Sequence, residues 1–205
     1  MTNTLDTIDE RTIDRDPVAQ FQLWFADAVA AALPLPEAMS LSTVNAKGKP
    51  TARMVLLKNV GAEGFVFFTN YRSAKARELA DNPNACLLFF WPQLERQVRI
   101  EGVVNKTSIA ESREYFATRP RGSQIGAWAS PQSEVIPGRE VLEQRQAELE
   151  KVYLDREIPW PEHWGGYCLK PERIEFWRGR RDRLHDRILY VKQADGSWTI
   201  QRLAP

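Results

Sequence analysis

Short apolar or alternating segments joined by turns constrain the fold of this 205-residue chain more than any other feature. Side chains that alternate between two faces are typical of strands, and Gly, Asn, Asp and Pro between such segments are typical of hairpin turns. Two of these segments, AMSLSTV and TARMVLL, flank the turn-rich NAKGKP, and others recur to the C-terminus. Six or more strands joined mostly by hairpins predict a mainly β fold, an antiparallel barrel with peripheral helices. The motifs G-x-G-x-x-G and G-x-x-x-x-G-K-[ST] do not occur, so Rossmann and P-loop folds lose their main support.

Three longer helices and one short helix are predicted around these strands. Asp16 is a suitable N-cap for a helix that starts at Pro17. An S-x-x-E capping box at Ser108 opens a second helix, and residues 137–153 form a third amphipathic one. Ser73 can cap the short helix. The strands of the predicted barrel are therefore interrupted by helices at only a few points.

The N-terminus and the cysteines indicate the domain organisation and the compartment. Residues 1–15 are polar and lack periodicity, so we expect a mobile N-terminal arm followed by a single domain over residues 16–205. Cys86 and Cys168 lie in apolar stretches, and no CxxC pair or Cys/His cluster suggests a metal site. Two reduced, buried thiols are typical of a cytoplasmic protein. No signal core and no membrane-length apolar run occurs, so a membrane location is not expected.

Arginine is the unusual component of the composition. The chain has 20 arginines and 8 lysines but a net charge of only +1, and five of the arginines lie in residues 176–187. A nucleic-acid-binding domain usually carries a basic excess over its whole surface. Guanidinium groups bind phosphates and carboxylates bidentately and stack on rings. A local pocket for a small anion therefore fits the composition better than a nucleic-acid surface.

Two strand-like segments could contribute to such a pocket. If RLHDRILYV is a strand, the side chains of Arg183, His185 and Arg187 lie on one face. Cationic groups this close repel one another unless an anion lies between them, so the row suits a site for an anion or a polar ring. The alternative is a solvated strand edge, where arginine discourages aggregation. Arg53 and Lys58 lie at the two ends of an apolar strand, and their side chains point to opposite faces. One ligand can therefore contact both only near the strand ends or at a subunit seam.

A polar loop over residues 115–133 is the third candidate. It combines Tyr115, Arg119 and Ser123 with glycine, and such residues can cradle a phosphate. Long polar loops are often functional. Trp177, directly before the arginine cluster, can stack on a flat heterocycle or serve as an ordinary core residue.

Taken in order, these segments resemble the pyridoxamine (pyridoxine) 5′-phosphate oxidase family. The matching pieces are RMVLLK, FFTN, LERQV, YFATRPRGSQIGAWAS, PQS, WGGY, IEFW, RLHDR and RLAP, and they span Arg53 to Pro205, about three quarters of the chain. The resemblance implies an FMN-binding split β-barrel that forms a homodimer with FMN at the subunit interface. It also implies oxidation of pyridoxamine or pyridoxine 5′-phosphate to pyridoxal 5′-phosphate, with O₂ as acceptor and H₂O₂ as a product.

The resemblance also assigns roles to individual residues, and it implies no metal. The cofactor-binding set is Arg53, Met54, Val55, Leu56, Leu57, Lys58, Phe68, Thr69, Lys75, Gln97, Gln132, Ser133, Trp177 and Arg187. The substrate-binding set is Lys58, Tyr115, Arg119, Ser123, Arg183 and His185. Arg183 and His185 are the expected catalytic residues, because they match those that face the substrate ring and its reacting carbon.

Ala74 departs from the family pattern. The family commonly has two basic residues after the serine of this segment, whereas here Ser73 is followed by Ala74 and Lys75. One cation for the FMN phosphate is therefore missing, and either Arg72 or Arg77 substitutes or FMN binds more weakly. A charge-assisted contact contributes about 1.5–3 kcal/mol, so the loss would be about tenfold or more in affinity.

Three alternative functions differ in what they predict. A related split-barrel flavin oxidase or reductase would act on another heterocycle, although the substrate motifs RPRGS and RLHDR are intact here. A non-catalytic FMN- or pyridoxal-phosphate-binding protein would release no peroxide with pyridoxine 5′-phosphate. A nucleic-acid-binding barrel is disfavoured by the near-zero net charge.

Overall fold

A computed structural model describes residues 7–205 of the chain, and within them nine strands form one curled, half-barrel sheet. The strands are β1 (Ala38–Val44), β2 (Pro50–Leu56), β3 (Asn59–Gly61), β4 (Gly64–Asn70), β5 (Asn84–Trp91), β6 (Arg96–Lys106), β7 (Trp164–Arg178), β8 (Asp186–Lys192) and β9 (Trp198–Arg202). The helices are α1 (Pro17–Ala30), α2 (Ala74–Asp81), α3 (Ile109–Thr118), α4 (Arg121–Ala129) and α5 (Glu140–Val152). The predicted mainly β class with peripheral helices is confirmed.

The sheet is antiparallel throughout. Its order is β2-β1-β5-β6-β7-β4-β3, with β8 paired to β7 and β9 paired to β8. The fifteen-residue β7 pairs with β6 along one edge. On its other edge the first half pairs with β4 and the second half with β8. This one strand therefore joins two parts of the sheet that share no other strand pairing.

The sheet bends at one point along the pairing of β6 with β7. The register shifts between Glu101 and Gly102, and such irregularities bend a strand. A Cβ atom at Gly102 would lie 2.1 Å from the carbonyl oxygen of Lys170, so only glycine allows the two backbones to approach this closely.

Two hydrophobic clusters hold the helices against the sheet. Phe21 and Trp24 of α1 are buried, and their rings lie 4.9 Å from Phe65 and 5.2 Å from Phe176 in edge-on contacts. A smaller cluster includes Ile125 of α4, which packs with α3 near the start of β7. The second cluster therefore positions α3 and α4 beside β4 and β7.

The predicted helix caps are found at the expected residues. The Asp16 carboxylate accepts a hydrogen bond from the N–H of Val18 at 2.9 Å, and the Ser108 hydroxyl accepts one from the N–H of Glu111 at 3.0 Å. Ser73 is the N-cap residue of α2 but makes no capping side-chain hydrogen bond. The helix predicted over residues 137–153 is observed as the slightly shorter α5.

Two predicted elements are wrong. Residues 115–133 are not one polar loop, because they contain the end of α3 and the whole of α4. The strand predicted from Arg183 begins only at Asp186. The preceding residues form a short 3-10 turn in which Asp182 and Arg183 have φ of 57° and 61°, so regular strand alternation does not apply to Arg183 and His185.

The predicted N-terminal arm is only partly within the described residues. Residues 1–6 lie outside them. Farther along, Ile13 is 8% exposed and belongs to the core, and the Tyr190 hydroxyl donates a hydrogen bond to the carbonyl of Asp14 at 2.6 Å. Arg202 and Glu10 form a salt bridge of 2.7 Å. The described part of the arm thus contacts β8 and β9.

Both cysteines are unpaired thiols, and Cys168 is buried. Burial raises the pKa of each thiol above its ordinary value. Within residues 7–205, the helices are all too short or too polar to cross a bilayer.

Candidate active site

Most of the predicted site residues line one cavity of about 590 Å³, a volume in the range of small-molecule sites. The end of β2, the end of β4, and helices α2, α3 and α4 supply its walls. The predicted cofactor-binding residues in the lining are Met54, Val55, Leu56, Lys58, Phe68, Thr69, Lys75 and Gln132. The predicted substrate-binding residues are Lys58, Tyr115, Arg119 and Ser123.

Lys75 is the most deeply buried cation of the cavity. It follows the N-cap of α2 and is only 8% exposed. Its ammonium donates to the Thr69 hydroxyl and to the Gln132 side-chain oxygen, each at 3.0 Å, and lies 3.4 Å from the Ser73 hydroxyl. Burial, followed by the nearby charge of Arg53, lowers the pKa of Lys75 to about 8. Its hydrogen-bond partners are all neutral.

A buried ammonium with neutral partners is suited to bind an anion. Among residues 7–205, Lys75 forms no salt bridge with a carboxylate. Desolvation without charge neutralisation is costly, and an anionic ligand would remove that cost. The Lys75 side of the cavity therefore fits a phosphate group such as that of FMN.

Arg119 is the second cation of the cavity, and it is half-buried. Its guanidinium lies 4.5 Å from the Trp164 ring, and Nη1 has no hydrogen-bond partner in the part of the chain that the structure describes. Burial lowers the pKa of Arg119 below its ordinary value. Buried donors are normally paired, so the unused N–H groups indicate a missing acceptor.

An aromatic wall connects these polar groups. The ring of Phe68 lies 4.0 Å from that of Tyr115 and 5.4 Å from that of Trp164, and all three rings are nearly parallel. The wall provides apolar surface next to both cations. A ligand with a flat ring and a phosphate group matches this combination.

Arg53 does not line the cavity. Its guanidinium forms a 2.9 Å salt bridge with Glu78 and donates to the hydroxyls of Thr43 and Thr51. Burial would raise the pKa of the Glu78 carboxyl, but the hydrogen bonds that Thr43, Thr51 and Arg53 donate to it outweigh burial and lower that pKa. Strand alternation explains why Lys58 lines the cavity and Arg53 does not, because the two side chains leave opposite faces of the segment.

The basic residues around Ala74 do not replace the missing cation in this chain's cavity. Arg77 donates to the carbonyl of Arg72, and neither side chain is among the cavity-lining residues. Lys75 is thus the one cation of this segment that lines the cavity within the described residues.

A second group of predicted residues lies on β6, β7 and β8, away from the cavity lining. Gln97 is the register partner of Trp177, and Trp177 is the register partner of Arg187. The His185 ring lies 4.6 Å from that of Trp177. Arg183, in the 3-10 turn, is exposed. Gln97, Trp177, His185 and Arg187 form a separate cluster within one subunit, and Arg183 lies in the turn next to it.

Glu175 organises the charges beside this cluster. Its carboxylate is 4% exposed and binds Arg99 at 2.6 Å and Arg187 at 2.8 Å. Arg187 also donates to the carbonyl of Ala204 at 2.9 Å. The hydrogen bonds to Glu175 raise the pKa of Arg187. Arg187 is therefore held in place from two sides.

The remaining predicted residues are Leu57 and Ser133. Leu57 is buried in the main core, and Ser133 is exposed beside Gln132 with φ of 71°. Trp164 and Glu175 are not among the site residues predicted from the sequence. Both belong to recognised motifs, WGGY and IEFW, and the two-residue spacing of Glu175 from Trp177 could have placed them on one face.

Family models match nearly the whole chain. One described as "Pyridoxamine 5'-phosphate oxidase" matches residues 25–153, and one described as "Pyridoxine 5'-phosphate oxidase C-terminal dimerisation region" matches residues 164–205. The cavity residues fall mainly in the first match, whereas Trp177, Arg183, His185 and Arg187 fall in the second.

Proteins similar to this chain match it over nearly its whole length. A protein named pyridoxine/pyridoxamine 5′-phosphate oxidase from Cupriavidus pinatubonensis is 55% identical over 100% of this chain and 96% of its own. One of the same name from Paraburkholderia phytofirmans is 56% identical over 98% of this chain and 95% of its own.

Solved structures with this fold include two informative ones. PhzG from Burkholderia lata, in complex with tetrahydrophenazine-1-carboxylic acid, has a TM-score of 0.91 and 28% identity, covering 98% of both chains. A pyridoxamine 5′-phosphate oxidase-related, FMN-binding protein from Nostoc punctiforme has a TM-score of 0.72 and 17% identity, covering 90% of this chain and 97% of its own. The latter supports the fold alone.

Proposed function

The chain belongs to the pyridoxamine 5′-phosphate oxidase family, and from this premise we propose that it is the FMN-dependent oxidase that forms pyridoxal 5′-phosphate. Its substrates are pyridoxamine 5′-phosphate and pyridoxine 5′-phosphate, and its fold is the FMN-binding split barrel. The observation that carries the proposal is the cavity in which the buried Lys75 and the half-buried Arg119 flank an aromatic wall without carboxylate partners among residues 7–205.

FMN fits the part of the cavity around Lys75. Lys75 and Thr69 would hold its phosphate together with Gln132, and the backbone of residues 53–58 with Phe68 would line the flavin. When bound, FMN supplies the acceptor for the hydride that leaves the substrate carbon next to the pyridine ring.

The other cationic part of the cavity suits the substrate phosphate. Arg119 and Lys58 supply positive charge, and Tyr115 and Ser123 supply hydroxyl groups. Binding energy from a phosphate remote from the reacting carbon can orient that carbon productively. The aromatic wall of Phe68, Tyr115 and Trp164 would exclude water from the same space.

Dioxygen is the proposed electron acceptor. Pyridoxine 5′-phosphate and O₂ would give pyridoxal 5′-phosphate and H₂O₂. The amine substrate would in addition take up one water and release ammonia, since an imine must be hydrolysed to the aldehyde.

A second subunit is needed to complete the proposed site. Trp164 lines the cavity, while Trp177 of the same strand belongs to the other cluster. Thirteen residues of extended strand span about 40 Å, too far for both ends to contact one ligand. We therefore place FMN at the homodimer interface, where Trp177, His185 and Arg187 of the second subunit complete the cavity.

The exposed apolar side chains beside the cavity support the same dimer. Met54 is 63% exposed and lines both the cavity and an adjoining apolar groove with Leu35 and Phe90, themselves 63% and 57% exposed. Exposed apolar groups of this size are typical of subunit contacts.

A cytoplasmic location is also proposed, because two unpaired cysteines suit a reducing compartment.

A phenazine-type substrate is the competing assignment, suggested by the similarity to PhzG. The higher identity to proteins named pyridoxine/pyridoxamine 5′-phosphate oxidase favours the vitamin B6 substrates. Arg119, with its unused buried donors, also favours a ligand that carries a phosphate.

Anaerobic reduction tests the proposal directly. The purified protein should be yellow, its flavin absorbance should bleach with pyridoxamine 5′-phosphate, and air should restore the colour with release of H₂O₂. A preparation that takes up no FMN, or one bleached by tetrahydrophenazine-1-carboxylic acid but by neither B6 substrate, would contradict it.

A further inference from the structure

Lys75 places a primary amine in the cavity under conditions that favour its neutral form. Its side chain is buried, and Nζ donates to the neutral side chains of Thr69, Gln132 and Ser73. A buried ammonium loses its hydration, and this cost is removed either by a bound anion or by release of the proton. In the proposed site the FMN phosphate is that anion. Without FMN, release of the proton remains, and an unprotonated lysine is a nucleophile.

The pKa of Lys75 agrees with this expectation. Burial lowers the pKa to about 8, and the charge of Arg53 adds to the decrease, whereas the carboxylate of Glu78 opposes it. At pH 7 about a tenth of the FMN-free molecules then carry the neutral amine. For an ordinary lysine, with a pKa of about 10.4, the fraction is below about one in a thousand.

The hydrogen bonds of Lys75 leave the lone pair of the neutral amine available. A neutral amine keeps two N–H groups, and two acceptors, the Thr69 hydroxyl and the Gln132 side-chain oxygen, lie at 3.0 Å. The Thr69 hydroxyl donates in turn to the Gln132 oxygen at 3.1 Å, so its proton is not directed at Nζ. The third partner, the Ser73 hydroxyl, is more distant at 3.4 Å. Nζ can therefore keep both shorter bonds and use its lone pair on a carbon atom in the cavity.

The rest of the cavity indicates which electrophile fits. Phe68, next to Thr69 in β4, lies parallel to Trp164 with ring centres 5.4 Å apart, and the Arg119 guanidinium lies 4.5 Å from the Trp164 ring. From residue 7 onward, Nη1 of Arg119 has no acceptor. A flat ring against this wall therefore has the amine of Lys75 on one side and a guanidinium on the other. An aromatic aldehyde with a phosphate group suits both, because its carbonyl carbon accepts an amine and its phosphate accepts guanidinium donors.

We propose that Lys75 of the FMN-free protein forms an imine with pyridoxal 5′-phosphate. The identity of the aldehyde rests on the proposed function, of which it is the product, whereas the amine belongs to this chain. Nζ attacks the aldehyde carbon, a C=N bond replaces the C=O bond, and the aldehyde oxygen leaves as water with the two protons of the amine. The step needs no oxidant or reductant. The imine occupies the place of the FMN phosphate, so accumulated product opposes cofactor loading.

Borohydride reduction followed by peptide mass spectrometry tests the imine. Hydride adds to the imine carbon and a proton to the nitrogen, which makes the link permanent. The FMN-free full-length protein is mixed with substoichiometric pyridoxal 5′-phosphate, and modification is measured at each of the eight lysines. We expect at least about tenfold more modification at Lys75 than at the exposed Lys47 and Lys49, and at least about tenfold less at Lys75 once FMN is bound. Equal modification of Lys75 and Lys47, or modification mainly at Lys58, would overturn the proposal.

A matched pair of variants tests the assignment without reduction. Lys75→Arg keeps a cation at the site but has no primary amine, and Lys47→Arg makes the same change in an exposed turn. The imine absorbance that appears when pyridoxal 5′-phosphate is added should be lost in Lys75→Arg and retained in Lys47→Arg. Uptake of FMN by Lys75→Arg shows that this variant is folded. Imine absorbance that persists in Lys75→Arg would overturn the assignment.

Pyridoxal, which lacks the phosphate, tests the second contact. The ratio of modification at Lys75 to that at Lys47 should be at least about tenfold lower with pyridoxal than with pyridoxal 5′-phosphate, because the contact to Arg119 is lost. An equal ratio would overturn the preference for a phosphorylated aldehyde. If the FMN-loaded protein oxidises neither B6 substrate, the proposed function fails instead, and the labelling still decides whether Lys75 forms the imine.

Discussion

Lys75 is the residue on which cofactor affinity should depend most. It is the deeply buried cation of the cavity, and the family's second cation is replaced by Ala74. Lys75→Met should weaken FMN binding at least about tenfold, because a charge-assisted contact to phosphate is lost. Flavin fluorescence titration measures this. Lys47→Met, in an exposed turn, is the matched control and should bind FMN normally.

The same lysine predicts a pH dependence. Burial lowers its pKa from 10.5 to about 8 in the folded protein, so above pH 8 the folded FMN-free protein releases a proton that the unfolded chain keeps. The FMN-free protein should therefore gain stability between about pH 8 and 10.5 from this group, since the unfolded state binds more protons there.

FMN binding should follow the opposite trend, because phosphate favours the ammonium form of Lys75. The dissociation constant should rise above pH 8 by up to about tenfold per pH unit, and the increase in melting temperature on adding FMN should shrink. A titration series from pH 7 to 9.5 checks this. Lys75→Met should show a flatter profile, and an identical slope in that variant would refute the assignment.

Among the structural elements, the paired strands β6, β7 and β8 carry a row of charges centred on Glu175. Glu175→Gln would leave Arg99 and Arg187 close together without their shared, buried carboxylate. Loss of one partner of a buried pair costs about 3–5 kcal/mol. Urea unfolding should show a loss of this order, and FMN affinity should also fall because Arg187 loses an anchor.

Glu101→Gln provides the comparison for that variant. Glu101 also bridges two arginines, Arg99 and Arg173, but its side chain is 36% exposed. Exposed pairs contribute about 0–1 kcal/mol, so its effect should be small. Equal destabilisation by both substitutions would show that burial of Glu175 does not matter.

Elements with local signals were predictable, and those set by distant contacts were not. Capping residues and hairpin turns identified α1, α3 and most of the strands; the short β3 lies in a segment that was assigned to a turn. Helix α4 was missed because its Gly and Ser content, directly after Pro120, resembles a loop. Contacts made elsewhere stabilise it: Gln124 donates to three carbonyls near the end of α3, and Ile125 is buried in the second cluster.

The turn before β8 was missed for a similar reason. The alternation in RLHDR continues that of the strand, but Asp182 and Arg183 adopt left-handed backbone conformations that no periodicity reveals. Most of the site residues predicted from sequence motifs line one cavity. Their division into two clusters could not be predicted, since it depends on the length and pairing of β7.

At the scale of the whole molecule, mixing two impaired variants, at an FMN concentration that leaves Lys75→Met largely without cofactor, tests whether the site is shared between subunits. Lys75→Met removes a cavity residue, and His185→Ala removes a residue of the other cluster. In a two-fold dimer built from one subunit of each, one site carries both changes and the other carries neither. Random exchange should restore about a quarter of the unchanged activity.

The restored activity should appear only after subunits exchange, for example after brief unfolding and refolding of the mixture. Each variant refolded alone is the control. If the mixture stays inactive while native gels show mixed dimers, both residues serve a site within one subunit, and the proposed interface position of FMN is wrong.

The span of β7 has a consequence for how activity responds to the amount of protein present. One unbroken strand carries the aromatic wall residue Trp164 at one end and Trp177 at the other, and in the proposed dimer each end would serve a different catalytic centre. A lone subunit would then have two half-centres and no complete one. On dilution below the dimer dissociation constant, turnover per millilitre should therefore fall with the square of the protein concentration rather than in proportion to it.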